Sequence, residues 1–330
     1  MKAVKVEKKD AQKTLDMLKS SGLFDNSHEI KFGKEHLLIP VVSAKGLKVV
    51  EARLKKKQKQ PRNLAEALQG KLTPKELVLA PRAFDVLGDI AIIEVDKRLA
   101  KKEKAIARVL LDLNKYLKVV AKKAGVHSGV YRTQKLKILA GEKRKETTCR
   151  ENNVLLNLNA ETCYFSPRLS TERLRVAKLV KEGESVLVMF SGVAPYPCVI
   201  AKNSAAKEVY GVEINPDAHK YALENIKLNK LLNVRVFCGD VRKIVPELGM
   251  KFDRIVMPLP KSAADFLDVA KAAAKQGAVV HIYEILNTDD FPAETMKRVK
   301  AQFPNAVMLD AVKCGAYGPG IIRGCVDFRV

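Results

Sequence analysis

Three residues in the second half of the chain are of the kinds that hold a nucleoside, and each follows a short apolar run: Gly192, Glu213 and Asp240. In the turn FSGVAPYP, Gly192 has no Cβ, so the backbone there can approach a ligand closely. Glu213 comes 21 residues later, from where a carboxylate can accept hydrogen bonds from both hydroxyls of a ribose. Asp240 is suited to accept from an adenine amino group, with the amide of Val241 opposite a ring nitrogen. In this order, these residues predict an adenosine site.

The first loop also separates two classes of cofactor. A dinucleotide dehydrogenase shares a glycine turn followed by an acid, but its turn reads G-x-G-x-x-G. The corresponding residues here are GVAPYP, which lacks the later glycines. An adenosine with no second nucleotide therefore fits this loop better than a dinucleotide does.

These residues need a parallel sheet behind them, because such a sheet binds ligands at the carboxyl ends of its strands. From about residue 167 onward, strand-like apolar runs alternate with helical patterns. The predicted strands are 185–190, 209–213, 234–238, 254–257 and 278–283. The predicted helices are 197–203, 217–229, one that begins near 262, and 296–302. For residues 167–330 this alternation predicts an α/β fold, a doubly wound Rossmann-like sheet.

The positive charge of the chain is concentrated in its first half. Of 60 Lys and Arg and 37 Asp and Glu, 36 and 17 lie in residues 1–150, which gives this half a net charge of +19. The remainder, with 24 basic and 20 acidic residues, has a net charge of +4. Such asymmetry is typical of a protein that grips a polyanion with one part and does chemistry with another. The alternative is a Lys-rich solvated surface, although such surfaces usually pair lysine with glutamate.

The basic half divides into two predicted parts. Residues 1–60 are predicted to be a small α/β module, and RLKKKQKQPR at 53–62 an exposed linker. Residues 61–166 are predicted to be a basic α+β region that binds a nucleic acid. The elements predicted for the module are a helix over 8–20 and strands over 36–42 and 47–54.

Within the second part, we predict a long helix with a dense basic face over 97–123 and then an antiparallel meander. The meander strands are 135–139, 146–150, 154–158 and 162–165, preceded by short helices at 64–68 and 74–77 and a strand at 90–95. The linker, the long helix and residues 135–145 are the expected phosphate contacts.

The cysteines and histidines show no metal-binding or disulfide pattern. The six cysteines contain no CxxC pair and share no ligand spacing with the five histidines. Met1 opens a charged stretch, and no apolar run approaches membrane-spanning length. The sequence thus predicts a soluble cytoplasmic protein that holds no metal through its own side chains.

Several motifs occur together in one order along the chain. They are HSGVYR (127–132), LAGE, ETTCREN, FSPRLSTER (165–173), FSGVAPYP, VEINPDAHKYALENIKLN, GDV and MPLPKSA. In this order they resemble the archaeal and eukaryotic tRNA (guanine-37, N1)-methyltransferases, from about residue 60 to the C-terminus. FSPRLSTER is the most specific motif and is shared with the wyosine-pathway relatives. The leading module resembles the domain of this family that contacts the tRNA elbow.

The resemblance implies roles for three side chains. Glu172 matches the family's general base, which would take the proton from guanine N1. Without the resemblance, Glu172 is a helix-start acid favoured by the helix dipole, with Ser170 as the cap. Arg132 matches the arginine that stabilises charge growing on guanine O6, whereas composition alone makes it one more phosphate contact. Arg173 matches a position that contacts the methyl donor, and a phosphate-facing or salt-bridged arginine is the alternative.

The methyl donor that the resemblance implies is S-adenosylmethionine. The residues expected to bind it are Arg173, Phe190, Gly192, Glu213, Asp240, Val241 and Pro258. At the fourth strand end the family usually has Asn-Leu-Pro, where this chain has Pro258-Leu259-Pro260 after Met257. Because Pro258 has neither a side-chain amide nor an N–H, only its carbonyl can contribute to binding a flipped base. Val188 and Ala194 also replace an acid and a glycine that the family often has.

The partner that the resemblance implies is tRNA, contacted at the anticodon loop and the elbow, with the target base taken out of its stack. The resemblance also suggests a monomer and an activity that can depend on Mg²⁺, although no residue pattern in the sequence shows either. Tyr131, Phe165 and Tyr196 are candidates to stack on that base, with a core position as the alternative for each. His127 is interpreted as structural. Other functions stay open: a wyosine-pathway methyltransferase or aminocarboxypropyl transferase acting on a modified guanine 37, or a non-catalytic tRNA-binding protein.

Overall fold

The computed structural model of the protein describes residues 1–43, 46–57, 61–125 and 129–330. The chain divides into two compact units, Met1–Arg62 and Asn63–Val330. Within the described ranges, no helix combines the length and the apolar character that crossing a bilayer requires. His127 lies outside the described residues.

The first unit is a four-stranded antiparallel sheet with one helix packed on it. Its elements are β1 (Lys2–Glu7), α1 (Ala11–Ser20), β2 (Lys31–Phe32), β3 (His36–Pro40) and β4 (Val49–Glu51), and the strands pair in the order β2-β3-β1-β4. Alternate residues of β1 and β3 point into the core, where Val4, Val6 and Ile39 meet Leu18 of α1. The predicted α/β module is confirmed, with β1 and β2 as strands that the sequence analysis missed.

The predicted linker over 53–62 is wrong in its first half. The amide of Glu29 donates to the Lys55 carbonyl, and the amide of Lys57 to the Ser27 carbonyl, both at 2.8 Å. These bonds attach the lysine run to the first unit. The run was interpreted as a linker because it lacks apolar side chains, but backbone pairing needs only N–H and C=O groups.

The second unit begins with a four-stranded sheet in the order β5-β6-β7-β8, followed by a separate hairpin of two strands. The sheet part consists of α2 (Leu64–Ala67), α3 (Pro74–Leu77), β5 (Phe84–Leu87), β6 (Ile90–Ile93), α4 (Glu103–Leu113), β7 (Val119–Lys123) and β8 (Leu136–Gly141), and the hairpin of β9 (Glu146–Glu151) and β10 (Val154–Asn159). Strands β6 and β7 are parallel, and α4 connects them. Ile106 and Leu110 of α4 pack on Ile93 and Val120 of the sheet.

Two predictions for this region are wrong. The helix over 97–123 is instead a 3₁₀ turn (Lys97–Lys102), then α4, then β7. Asn114 ends α4, because its backbone is extended (φ −123°, ψ 91°), while its side-chain amide bonds the Leu110 carbonyl. The apolar β7 can then join the sheet. The predicted meander is also wrong, because β8 pairs with β7 rather than with β9, and residues 162–165 form an irregular segment.

The rest of the unit is a seven-stranded sheet with helices on both faces. The strands are β11 (Ser185–Met189), β12 (Glu208–Glu213), β13 (Val234–Cys238), β14 (Phe252–Met257), β15 (Ala274–Asn287), β16 (Val307–Gly318) and β17 (Ile321–Arg329). The helices are α5 (Ser170–Leu179), α6 (Pro195–Asn203), α7 (Pro216–Leu228), α8 (Val241–Glu247), α9 (Leu267–Ala273) and α10 (Ala293–Gln302). The order is β13-β12-β11-β14-β15-β17-β16, parallel from β13 to β15, with β17 antiparallel to both neighbours.

The central strand β11 shows why this sheet has two covered faces. All five of its residues, SVLVM, are buried. Val186 and Val188 join the apolar cluster on one face, and Leu187 and Met189 join the cluster on the other. A continuous apolar run of this kind is typical of a parallel strand between two helix layers. The predicted doubly wound Rossmann-like fold is therefore confirmed.

Candidate active site

The strand ends that were predicted to carry the cofactor site lie side by side. Met189, at the end of β11, pairs with Val212 of β12, and Glu213 pairs with Cys238 at the end of β13. Strand β14 lies on the other side of β11. The loops after these four parallel strands therefore open at one edge of the sheet, which is where such sheets bind ligands.

The first loop turns through three residues of left-handed conformation. Phe190, Gly192 and Ala194 have φ angles of 58°, 58° and 65°. This region costs residues with a side chain roughly 1–2 kcal/mol, whereas glycine adopts it freely. A Cβ on Gly192 would meet only the Tyr164 carbonyl oxygen, at an ordinary 3.7 Å, so the turn rather than space within the protein favours glycine. Backbone strain of this kind is common at ligand sites.

Glu213 is the buried acid of this edge, with 8% exposure. Its Oε2 accepts from the Gly192 amide at 2.6 Å, and its Oε1 accepts from the Asn215 amide at 2.8 Å. Burial raises the pKa of the Glu213 carboxyl, and the amides of Asn215, Gly192 and Ile214 oppose that rise. A carboxylate has about four acceptor sites, so these amides leave part of its capacity for the hydroxyls of a ribose.

Asp240 and Val241 lie at the start of α8. Asp240 caps this helix, since its Oδ1 accepts from the Arg242 amide at 2.8 Å. Val241 is the first helical residue, and the first amides of a helix have no partner within the helix. The Gly239 amide donates to the Glu213 carbonyl at 2.8 Å, which joins the loop after β13 to the end of β12. The donors and acceptors along this edge fit the adenosine part of S-adenosylmethionine.

The fourth loop makes a tight turn around Pro258. The Leu259 amide donates to the Met257 carbonyl at 2.9 Å, which is the pattern of a γ-turn. The Ile285 amide donates to the Pro260 carbonyl at 2.8 Å and fixes the end of the turn. The Met257, Leu259 and Pro260 carbonyls thus have partners within the protein, and the Pro258 carbonyl is the group that the sequence assigns to a ligand.

Glu172 lies in the first turn of α5 and is 6% exposed. Its Oε1 accepts from Tyr283 Oη at 2.6 Å and from Arg175 Nη2 at 2.8 Å, and its Oε2 accepts from Arg175 Nε at 2.8 Å. The alternative in which Ser170 caps the helix is wrong, because Ser170 is the first helical residue and Leu169 occupies the cap position. The carboxylate is therefore held by side chains in the interior.

Arg173, the next residue, pairs with a different acid and is 2% exposed. Its Nε and Nη2 donate to the two carboxylate oxygens of Glu151 at 2.5 Å, and Nη2 also donates to the Ser166 carbonyl at 3.1 Å. Its guanidinium carbon lies 5.0 Å from the centre of the Phe165 ring. The salt-bridged alternative thus describes Arg173 here, and its contact with the methyl donor stays a prediction.

Arg132 lines a cavity of about 440 Å³ together with Tyr164, Tyr317 and Arg323. Burial lowers the pKa of its guanidinium, the two tyrosines oppose this, and Arg323 adds to it. The backbone at Arg132 has a φ of 51°, in the left-handed region that is unusual for a side chain of this size. The cavity volume falls in the range of small-molecule sites.

Cys314 connects the two predicted catalytic groups. It lines the same cavity as Arg132. Burial, and then the charge of Glu172, raise the pKa of the Cys314 thiol to about 12. The thiol also forms a hydrogen bond with Glu172. The predicted base therefore contacts Cys314, a residue of the cavity that the predicted arginine lines.

Four residues around Glu172 were not singled out from the sequence: Arg175, Tyr283, Asp327 and His281. Arg175 Nη1 donates to Asp327 Oδ2 at 2.6 Å, and His281 Nδ1 lies 2.6 Å from Asp327 Oδ1. Arg175 follows Glu172 by three positions on one helix, a spacing that pairs opposite charges and could have revealed it. The other three lie in mainly apolar strands, where no spacing marks them.

His281, Cys325 and Asp327 form a buried cluster whose ligand atoms lie within 4.8 Å of one another. Burial alone would raise the pKa of Asp327, but His281 and Arg175 hold it well below its usual range. The Arg175 guanidinium already supplies a positive charge to this carboxylate, which disfavours a metal cation there. The cluster acts as a hydrogen-bonded network.

Several basic side chains that were expected to contact phosphates are paired within the protein. Lys122 and Lys137 both bond Glu103, and Arg144 bonds Asp89. The solvated-surface alternative therefore accounts for part of the positive charge.

The three aromatic candidates for stacking differ in their surroundings. Tyr196 is a core residue, whereas Tyr131 is 45% exposed. Phe165 lines the Arg132 cavity. The core alternative therefore holds for Tyr196 and is wrong for Tyr131.

Three protein-family models match the chain in order. The tRNA methyltransferase 5 N-terminal domain matches residues 3–45, and the TYW2 N-terminal domain matches residues 64–144. The TRM5/TYW2 methyltransferase domain matches residues 147–309. The last match includes the strand-end loops and Glu172.

Two relatives illustrate the range of the similarity. The chain is 39% identical to the tRNA (guanine(37)-N(1))-methyltransferase Trm5b of Pyrococcus abyssi, across 99% of this chain and 98% of that protein. It is 35% identical to the tRNA 4-demethylwyosine(37)-methyltransferase Taw21 of Saccharolobus solfataricus, across 63% of this chain and 79% of that protein.

Two solved structures are similar to almost the whole chain. The crystal structure of Trm5b from Pyrococcus abyssi matches 100% of this chain and 99% of that one, with a TM-score of 0.79 and 38% identity. An aTrm5 chain, solved in complex with tRNALeu, matches 99% of both chains with a TM-score of 0.85 and 28% identity. The motifs, the Rossmann-like sheet and the full-length similarity lead to one conclusion: the chain belongs to the TRM5/TYW2 methyltransferase family.

Proposed function

We propose that this chain transfers a methyl group from S-adenosylmethionine to N1 of guanine 37 in tRNA. The observation that carries the proposal is the similarity to Trm5b along 99% of the chain, since the name of that relative states this reaction. The similarity extends over both compact units and the strand-end loops. A cavity lined by Arg132 and by Cys314, which contacts Glu172, gives further support.

Glu172 is the general base in this proposal. Guanine N1 carries a weakly acidic proton, and removing it makes N1 a better nucleophile. The buried carboxylate takes this proton from the bound guanine. Arg175 and Tyr283 hold it in one orientation, which keeps it aimed at the substrate.

Arg132 stabilises the charge that then develops on guanine O6. A fixed cation at that oxygen lowers the barrier, and more so where water is excluded. Burial lowers the pKa of Arg132. An arginine nevertheless stays charged at neutral pH, because its ordinary pKa is so high.

When bound, S-adenosylmethionine supplies a methyl group on a positively charged sulfur. Glu213 binds the ribose, and Asp240 and Val241 bind the adenine. The other residues that we assign to its site are Arg173, Phe190, Gly192 and Pro258.

The tRNA contacts follow the domain organisation that we propose. Residues 1–60 bind the elbow, residues 61–166 bind the anticodon loop and the target base, and residues 167–330 carry the methyl donor. Three further features belong to this proposal as predictions: the protein acts as a monomer, works in the cytoplasm, and uses Mg²⁺ if a divalent ion takes part at all.

Methylation of a wyosine precursor at position 37 is a second candidate. Two observations favour it: the similarity to Taw21, and Pro258 in place of the asparagine that binds guanine in the N1-methylating family. We rank it second because the match to Taw21 covers 63% of this chain and the match to Trm5b covers 99%.

The experiment that tests the proposal is single-turnover methyl transfer to an unmodified tRNA transcript. We expect transfer by the native chain, none when guanosine 37 is replaced by adenosine, and a loss of about a hundredfold or more in Glu172→Gln. Calorimetry should show that Glu172→Gln still binds S-adenosylmethionine. An unchanged rate in Glu172→Gln would remove Glu172 as the base.

A further inference from the structure

We infer that Tyr283 and Arg175 are positioning residues that leave one oxygen of Glu172, Oε2, to receive the guanine N1 proton. The inference rests on the proposed role of Glu172 as the base. It concerns the groups that orient this carboxylate.

The donors around the carboxylate are unevenly distributed. An ionised carboxylate oxygen has about two acceptor sites. Oε1 accepts from Tyr283 Oη at 2.6 Å and Arg175 Nη2 at 2.8 Å, so both of its sites are used. Oε2 accepts from Arg175 Nε at 2.8 Å, and within the described part of the chain no second N–H or O–H donor reaches it. The Cys314 thiol also bonds the carboxylate, but S–H is a weak donor that a guanine N–H can replace. Oε2 is therefore the oxygen with capacity to receive the proton.

Arg175 is itself fixed from the sheet. Nε and Nη2 contact Glu172, while Nη1 and Nη2 donate to Asp327 at 2.6 and 3.2 Å. The planar guanidinium thus bridges the carboxylates of Glu172 and Asp327. Because its donors are fixed in one plane, the position of Asp327 determines the orientation of Glu172. A lysine has no such fork and could not make both contacts in fixed geometry.

The network continues across the strands. Asp327 of β17 and His281 of β15 face each other in the sheet register and are bonded at 2.6 Å. His281 Nε2 lies 2.8 Å from Arg254 of β14, whose Nε donates to Glu184 at 2.7 Å. Residues of β14, β15 and β17 therefore form the network that holds Arg175, and Arg175 orients Glu172. Support of this kind keeps a reacting group within the narrow geometry that catalysis needs.

The proton transfer at Oε2 balances without a further reactant. The N1–H bond of guanine breaks and an O–H bond forms at Oε2, while the electron pair stays on the guanine. With S-adenosylmethionine bound, that pair would form the bond from N1 to the methyl carbon as the bond between this carbon and sulfur breaks, and the electrons of the broken bond would stay on sulfur. Tyr283 keeps its own proton throughout, as a donor to Oε1.

A double-mutant cycle in single-turnover methyl transfer tests the inference. Tyr283→Phe should lower the rate by about tenfold to a hundredfold, the value of a hydrogen bond to a charged group. The KM for tRNA and the affinity for S-adenosylmethionine should stay close to native. In a Glu172→Gln background, Tyr283→Phe should cause no further loss, because it acts through that carboxylate.

Two variants make the result decisive. Tyr210→Phe is the matched control, since Tyr210 Oη also donates to a glutamate, Glu208, at 2.6 Å, and its rate should stay native. Arg175→Lys keeps the charge without the fork, so it should restore the melting temperature that Arg175→Ala loses but not the rate. The inference is overturned if Tyr283→Phe loses no more rate than Tyr210→Phe, or loses equally in both Glu172 backgrounds. A native rate in Glu172→Gln alone would instead overturn the proposed base.

Discussion

The Gly192 amide donates a hydrogen bond of 2.6 Å to Oε2 of Glu213, 21 residues further along the chain. This bond joins the loops after two neighbouring parallel strands and fixes the orientation of a buried carboxylate. Amide donors favour the charged form of an acid, which offsets part of the cost of burial. The protein thus fixes a hydrogen-bond acceptor at the strand end to which we assign the ribose.

We predict that Glu213→Gln weakens S-adenosylmethionine binding by about tenfold to a hundredfold, because hydrogen bonds to a charged group are lost. Titration calorimetry measures this directly. Glu208→Gln, at the opposite end of the same strand, is the control and should bind normally. Equal weakening in both variants would show that the effect is not specific to the strand-end site.

Arg132→Ala should lower the rate of methyl transfer by about a hundredfold or more, the usual cost of removing a group that stabilises an oxyanion. The Kd for tRNA should change much less. Arg98→Ala removes an exposed arginine, paired with Asp96, and serves as the control. If Arg132→Ala instead loses tRNA affinity and keeps its rate, Arg132 is a phosphate contact.

Cys238 should be the first cysteine to react with iodoacetamide, because it is exposed. Burial raises the pKa of the Cys149 and Cys198 thiols to about 11 and about 12, which slows their alkylation. S-Adenosylmethionine at about 100 times its Kd should slow labelling of Cys238 by up to a hundredfold, since only free protein reacts. Peptide mass spectrometry follows the site, with Cys238→Ser as the unlabelled control. If saturating S-adenosylmethionine left the labelling rate of Cys238 unchanged, this would argue against a cofactor site beside Asp240.

Asp327→Asn should destabilise the protein at pH 7 by about 3–5 kcal/mol, because it leaves Arg175 and His281 without their buried acid. Because the folded-state pKa of Asp327 is lowered, its contribution is present above its ordinary value of 3.8 and is lost as the pH falls below that value. Denaturant unfolding at pH 7 and pH 3 should therefore show a smaller difference between native and variant at the lower pH. Asp253→Asn, which breaks a more exposed pair with Lys275, should cost about 1 kcal/mol or less. A difference that is the same at both pH values would contradict the account.

The central sheet could be predicted because its residues carry local signals. Strand β11 is apolar throughout, and Gly192, Glu213 and Asp240 each follow a strand, so their common edge follows from parallel topology. The error over 97–123 has a physical cause. The apolar residues of β7 follow α4 closely, and periodicity alone does not show that Asn114 ends the helix.

The surroundings of Glu172 could not be predicted in the same way. Tyr283 and Asp327 are 111 and 155 positions from Glu172 along the chain, and the pairing of β15 with β17 brings their strands together. Such contacts depend on the register of distant strands, which no local pattern specifies. Arg175 is the exception, since its helical spacing from Glu172 is visible in the sequence.

The most direct test of the account is to identify the methylated atom. The native chain is incubated with an unmodified tRNA transcript and S-adenosylmethionine, and the product is digested and analysed by mass spectrometry against nucleoside standards. We predict 1-methylguanosine, located at position 37 by the fragment that carries it. A methyl group at another atom or position, or activity only on tRNA that carries a wyosine precursor, would contradict it.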